Sequence, residues 1–386
     1  MASPSKPPAI PQIWTRDFSL IFVAHVVFSS AFCVLVPTLP IYLLNVGSTE
    51  VQIGVLIGSL GIASLVVRPF IGRALVRVSE KSFMMTGALL FAFGAVGYLF
   101  VVSFWGLFMI RVIQGLAAAF LYTAAITGVA NRCPESRLGQ SLSYYYAAFN
   151  VAFALTPSFG MFLINNYGFT PLFLVCTGLT LCSLAIMTRL GRRSVNPPVE
   201  GRMEKVPLLS RKALPTAIMA LIGSMNWGAL TAFFPLYALS CGVADPGLFF
   251  TTFAITNVSV RALGAKILDV YGREKLILPS LSTSILAMVL LLFSKTLPLF
   301  IGVAALWGIG HALLFPALAA TTLERTKSSP GPAMATFSAF DELGTSLGAV
   351  ISGILLRLSG YPAVFLCLVF AGLLNAAYFH FFVRRK

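Results

Sequence analysis

Twelve apolar runs of close to membrane-spanning length, separated by brief polar punctuation, constrain this chain more than any other feature. They lie near 18–44, 51–72, 83–101, 104–130, 138–164, 169–188, 214–240, 247–267, 276–294, 298–321, 332–356 and 363–383. An apolar run of about 20 residues crosses a bilayer as a helix, because in hydrocarbon each backbone N–H and C=O must find its partner within the segment. The expected class is therefore an all-α membrane protein with 12 transmembrane helices. Composition agrees: 58% of the residues are hydrophobic and 10% charged, too little polar surface to cover a soluble domain.

A net charge of +15 invites a nucleic-acid reading, but the placement of the charges is more informative than their sum. Twelve crossings put both termini on one side. The connections on that side hold nearly all the Lys and Arg: Arg73, Arg77 and Lys81, then Arg132 and Arg137, the stretch from Arg189 to Lys212, Lys266, Arg273 and Lys275, Arg325 and Lys327, and the tail from Arg384 to Lys386. The other side holds Lys295 and Arg357. Basic loops stay cytoplasmic, so both termini are expected there, in a prokaryotic inner membrane, with no nucleic-acid partner. The first apolar run is too long for a signal-peptide core and reads as a retained helix. Cys33, Cys133, Cys176, Cys182, Cys241 and Cys367 lack metal-ligand spacing, so neither a disulfide nor a metal is expected.

The longest polar stretch divides the chain into a cytoplasmic segment 1–17, a six-helix bundle 18–188, a cytoplasmic central loop 189–213 and a second bundle 214–386. Both halves carry the same punctuation. Pro40, Tyr42 and Gly47 return 195 residues later as Pro235, Tyr237 and Gly242. Arg68 and Leu75 match Arg261 and Leu268, Gly115 matches Gly310, and Gly168, Phe173 and Leu174 match Gly360, Phe365 and Leu366. Duplicated membrane bundles place a binding site where the repeats meet and expose it by rocking one repeat against the other.

In the connection between helices 8 and 9, Ala265 is followed by Asp269, Gly272 and Arg273. A small residue, then Asp four later, then Gly-Arg, resembles the loop signature of the major facilitator superfamily. Glycine permits the tight turn there. The equivalent loop, entered through Gly72 and Arg73, departs from the pattern with Val76 in place of Asp and Ser79 in place of Gly. In helix 4, Arg111-Val112-Ile113-Gln114-Gly115 is similar to a second family motif, whose arginine the resemblance associates with proton coupling. An arginine in hydrocarbon costs about 2.5–3.5 kcal/mol even on insertion scales, so Arg111 should face protein or water. Pro157 and Gly160 in helix 5, with Ala152 and Thr156 replacing two glycines, form a partial version of the family's exporter motif; the proline bends the helix and small neighbours allow close approach. The resemblance covers the whole chain and implies two pseudo-symmetric six-helix bundles.

Acids inside the spans are few. Asp341 and Glu342 sit about a third of the way into helix 11; adjacent positions point about 100° apart, so they cannot share one partner equally. Asp341 is the expected cavity acid. With Arg111 and His311 these are the proton-coupling candidates, histidine being the side chain that titrates near neutrality. Candidate substrate contacts are Gln114, Asn150, Asn226, Trp227, Asn257, His25 and Tyr145.

No phosphate-binding loop, nucleophile elbow or metal-ligand spacing is present, so no catalytic residue is expected and neither ATP nor another cofactor supplies the energy. The expected function is a monomeric secondary transporter, driven by the proton gradient, that exports a small organic compound in exchange for protons. A proton symporter or a uniporter of a metabolite or lipid-like anion, and a membrane-embedded lipid enzyme, are the alternatives.

Overall fold

A computed structural model describes residues 14–75, 77–133, 137–191, 210–271, 273–326 and 330–384. It is built of helices: α1 (Arg16–Cys33), α2 (Leu35–Asn45), α3 (Glu50–Ala74), α4 (Glu80–Gly97), α5 (Phe104–Arg132), α6 (Leu138–Tyr167), α7 (Phe169–Thr188), α8 (Leu214–Ser240), α9 (Gly247–Tyr271), α10 (Arg273–Phe293), α11 (Leu297–Arg325) and α12 (Pro330–Tyr378). The twelve predicted crossings map onto these with two adjustments. α1 and α2 together make the first crossing, while α12 supplies the last two, broken at Gly360.

Local chemistry accounts for the helix starts. Thr15, Thr49, Ser79 and Ser103 each accept an N-terminal backbone N–H of the helix that follows, and Thr49 forms a full capping box with Gln52. The break between α1 and α2 falls at Val34. Pro37 has no N–H to give the carbonyl of Cys33 four residues earlier, so the ladder lapses there. Gly160 of α6 fits against that break, since a Cβ at Gly160 would stand 2.7 Å from the Val34 carbonyl oxygen.

The duplication read from the sequence recurs in backbone geometry. The positive-φ glycines among the described residues form two repeat pairs: Gly47 (φ 85°) with Gly242 (φ 81°), and Gly168 (φ 83°) with Gly360 (φ 79°). Tyr42 donates its hydroxyl to the Tyr98 carbonyl at 2.8 Å, and its repeat partner Tyr237 donates to Ser294 at the same distance. One pairing shifts. Gly115 faces the carbonyl of Leu60, and the glycine that faces the equivalent carbonyl, Phe253, is Gly308 rather than Gly310. Gly310 instead lies against Ser280, Thr283 and Ser284 of α10. Sequence comparison alone could not separate two glycines spaced by one residue.

Each half has its own apolar interior, including Phe28, Phe91 and Phe173 in the first and Phe234, Phe250 and Trp307 in the second. Their outer surfaces are apolar as well: Phe93, Phe293 and Leu358 are 67%, 74% and 75% exposed. Such a surface suits acyl chains and not water.

An even number of crossings returns the end of α12 to the face where α1 starts, here called the terminal face. The halves meet toward the other one. Gly54 and Gly58 of α3 lie against the carbonyls of Ala349 and Ser346, and Gly353 of α12 lies against that of Glu50. Across the other seam Gly247 of α9 abuts Pro157 and Ser158 of α6, and Asn165 donates to the Ala244 carbonyl at 3.1 Å. Of these contacts between halves, the one nearest the terminal face is the ion pair of Arg68 with Glu342. The protein is therefore closed on the face away from its termini.

Candidate functional site

The polar side chains that the sequence singles out come to three places. The first lies between the halves. A cavity of about 100 Å³ is bounded by Leu35 and Leu39 of the first crossing, Leu60 of α3, Arg111 of α5, Trp227 of α8 and Ser346 of α12. Trp227 belongs to both sides, packing on Phe153 of the first half at 5.2 Å and on Phe253 of the second at 5.4 Å.

Arg111 is buried on the wall of this cavity. Its guanidinium donates to the Leu56 carbonyl at 3.0 Å, to Gln114 Oε1 at 3.1 Å and to the Ile57 carbonyl at 3.4 Å. No carboxylate balances it among the described residues; backbone dipoles and an amide do so instead. Gln114 also accepts the Tyr98 hydroxyl at 2.8 Å, so it orients Arg111 from within the first half.

The second place is the acidic pair, where the structure corrects one expectation. The acid facing the opposite half is Glu342, ion-paired with Arg68 of α3. Asp341, the expected cavity acid, accepts a hydrogen bond from Ser224 of α8 in its own half. The angular offset of adjacent helix positions sends one carboxylate to each neighbour. Arg68 Nε and Glu342 Oε2 remain buried without hydrogen-bond partners, so the pair is only partly satisfied.

The third place is inside the second half. Asn257 Nδ2 lies 3.2 Å from His311 Nδ1, and the His311 ring is surrounded by Phe253, Trp307, Phe315 and Trp227. A small cavity of about 20 Å³ joins His311 to Asn226, Ser284 and Asn375, and the side-chain oxygens of both asparagines are buried there without partners. That volume holds one water molecule.

Other candidates fall elsewhere. His25 stacks on Tyr145 at 4.1 Å and touches Tyr122 edge-on, all within the first half. Both His25 and Tyr145 are buried. Asn150 donates to the Tyr146 carbonyl one turn earlier at 3.1 Å. Pro157 and Gly160 act in packing, against Gly247 and Val34 respectively. Gly72 and Arg73 are exposed at the end of α3. Gly272 and the side chains of Asp269 and Arg273 lie outside the described residues.

Sequence reasoning missed a cluster at the terminal face. Arg132 of α5 reaches Asp17 of α1 at 3.3 Å and Glu80 of α4 at 3.7 Å, Asn131 donates to Glu80 at 2.6 Å, and Lys81 donates to the carbonyls of Thr188 and Leu190. These contacts tie α1, α4, α5 and α7 into one unit. The available signal was the presence of acids, Asp17 and Glu80, at the head of two spans beside a basic loop. The Arg68 contact was also missed, although its repetition as Arg261 marked both residues as unusual cations within apolar runs.

Comparisons with known proteins agree with this architecture. The family model of the Major Facilitator Superfamily matches residues 21–249 and again 216–386, two overlapping matches that together span nearly the whole chain. The chain is 24% identical over 366 residues to the staphylopine export protein of Staphylococcus aureus (strain Mu50 / ATCC 700699), covering 90% of this chain and 91% of that one. It is 26% identical over 375 residues to an uncharacterized MFS-type transporter of Burkholderia mallei (strain SAVP1), covering 92% and 90%. Among solved structures, the nucleoside transporter NupG superposes with a TM-score of 0.77 at 16% identity, covering 96% of this chain and 100% of that one.

Proposed function

Because the chain belongs to the Major Facilitator Superfamily, and so is a membrane transporter rather than an enzyme, we propose that it exports a small organic compound in exchange for protons by alternating access. The observation that carries this reading is the ion pair between Arg68 and Glu342, which joins the halves where they begin to separate. An ionised Glu342 holds Arg68 and with it the arrangement closed away from the terminal face. A proton on Glu342 removes the charge that Arg68 grips, and frees the halves to rock.

The cycle follows from this. In the state described, Glu342 has given its proton to the terminal face and the space between the halves is accessible from that side. Solute enters there and takes over the hold of Glu342 on Arg68, as a proton does on the return, and the halves rock to expose it on the other face. A proton arriving from that face then neutralises Glu342 and is carried back. Arg111, held by α3 carbonyls and Gln114, keeps a fixed positive charge in the cavity wall through both states. The proton gradient supplies the energy, and no cofactor is used.

The basic loops on the terminal side support placing that face in the cytoplasm of a prokaryotic inner membrane. The relative named for staphylopine export supports the outward direction. The test uses inside-out vesicles with an imposed pH gradient. Solute uptake that dissipates the gradient, and stops in Glu342→Gln, is the expected result. Transport indifferent to collapse of the gradient overturns the proton-exchange reading.

A further inference from the structure

Among the described residues, the pseudo-symmetry that pairs Arg68 with an acid leaves its counterpart without one. Arg261 is the repeat image of Arg68, 193 residues on, and the residue at the place of Glu342 in the first half is 192 residues earlier, Asn150. The contact between α3 and α12 that ends in Arg68 and Glu342 therefore has its repeat counterpart between α9 and α6, where the matching residues are a cation, Arg261, and an amide, Asn150. Arg261 Nε is buried with no hydrogen-bond partner, and among the described residues no acid forms an ion pair with its guanidinium. Buried unpaired donors are rare in native structures and call for an explanation.

The surroundings indicate one. Phe253, Asn257 and Arg261 follow each other at four-residue intervals along α9 and so share one face. Phe253 and Asn257 turn that face to Trp307 and His311 of α11. Arg261 lies one turn nearer the terminal face than Asn257. Described charged side chains away from the span ends number three cations, Arg68, Arg111 and Arg261, against two acids, Asp341 and Glu342. One positive charge is left uncompensated when both acids are ionised.

We propose that Arg261 binds an oxyanion group, a carboxylate or phosphate, of the transported compound, with Asn257 and His311 as neighbouring polar contacts and Trp227 and Phe253 as the apolar wall. The planar guanidinium presents two parallel donors to such a group. Asn150 matters by what it lacks: an acid there would occupy Arg261 and shut the site, as Glu342 occupies Arg68. The transported class is thus anionic or zwitterionic, and this deepens the carrier reading on which it rests.

The test uses the full chain, purified in detergent, with thermal unfolding and tryptophan fluorescence followed as succinate, inorganic phosphate or uncharged succinamide is added at constant ionic strength. Succinate or phosphate is expected to raise the unfolding temperature saturably, as a ligand that favours the folded state must, and succinamide is not. Which anion works separates a carboxylate site from a phosphate site. Arg261→Gln should weaken the effect at least tenfold without lowering the unfolding temperature of the unliganded protein, since it removes an unpaired charge. Asn150→Glu should abolish it by pairing with Arg261. Equal anion effects in Arg261→Gln and the parent chain, or no anion effect in the parent chain, overturn the proposal. Loss of the pH-gradient transport result with Arg261-dependent binding intact sinks proton exchange alone, so the two readings fail separately.

Discussion

Arg68 in α3 and Glu342 in α12 are 274 residues apart in sequence and form the ion pair at which the two halves part. Arg68 is a lone charge well inside its span, and Glu342 shares its span with Asp341 beside it. Neither reads from its own neighbourhood as half of a pair.

Replacing Glu342 by Gln keeps the shape and removes the charge. Proton-linked transport is expected to fall by at least tenfold in vesicles while the purified protein still folds. Counterflow exchange of solute without a pH gradient should persist, because it needs rocking but no net proton movement. Full retention of gradient-driven transport would exclude Glu342 from coupling.

Gly58→Val should prevent closure of the face away from the termini. A Cβ at Gly58 stands 2.7 Å from the Ser346 carbonyl oxygen, and a backbone atom cannot swing aside as a side chain would. Transport should fall more than tenfold. Thr231→Cys, on the cavity wall, should then react faster with an impermeant thiol reagent added on that face, in a background free of other cysteines. Unchanged labelling would show that the α3–α12 seam does not gate.

Asp245 gives the same gate a pH dependence. Its carboxylate accepts the Gly247 N–H at 2.9 Å at the head of α9, beside Ser158 of the first half. Burial pushes the Asp245 carboxyl above the usual carboxylate range, against the opposing effect of hydrogen bonds from Gly247, Ser158 and Leu248. A group that binds its proton more tightly in the closed form favours closure when protonated. That contribution is fully present below the ordinary carboxylate pKa, about 3.9, and is lost as pH rises through the raised value. Thr231→Cys labelling should slow as the solution on that face is acidified, and Asp245→Asn should erase the trend. A pH response preserved in Asp245→Asn would assign it to another group.

Tyr42→Phe and Tyr237→Phe test the duplication in energy as well as geometry. Each deletes one hydroxyl that donates to a carbonyl at 2.8 Å, worth about 1 kcal/mol. The losses in reversible unfolding in mixed micelles should be similar, and the double substitution should equal their sum to within about 0.5 kcal/mol. Strong non-additivity would mean that the halves communicate through these ends.

Much of the architecture was legible because membrane spans are written locally. A helix in hydrocarbon satisfies its own backbone, so its length, its caps and the glycines at its turns are set by neighbouring residues. Thr49 with Gln52, Pro37 before the break at Val34, and the paired glycines at 168 and 360 all belong to that class. The candidate site was legible in part. Arg111, Gln114, Asn257 and His311 stood out as polar groups that hydrocarbon does not tolerate without a partner, and the structure gives each one a contact.

Partner choice was not written locally. Asp341 and Glu342 are neighbours of the same chemical kind, and sequence established only that they point in different directions. Which one meets Arg68 depends on the rotation of α12 between α8 and α3, set by glycines that let the backbones touch. The sequence by itself determined twelve crossings, their duplication and the identity of the buried charges, because each follows from transfer of a short segment into lipid. Only the tertiary structure decided that Arg68 has its carboxylate while Arg261 has none among the described residues, because a pairing between charges on different helices exists only once the halves are set against each other.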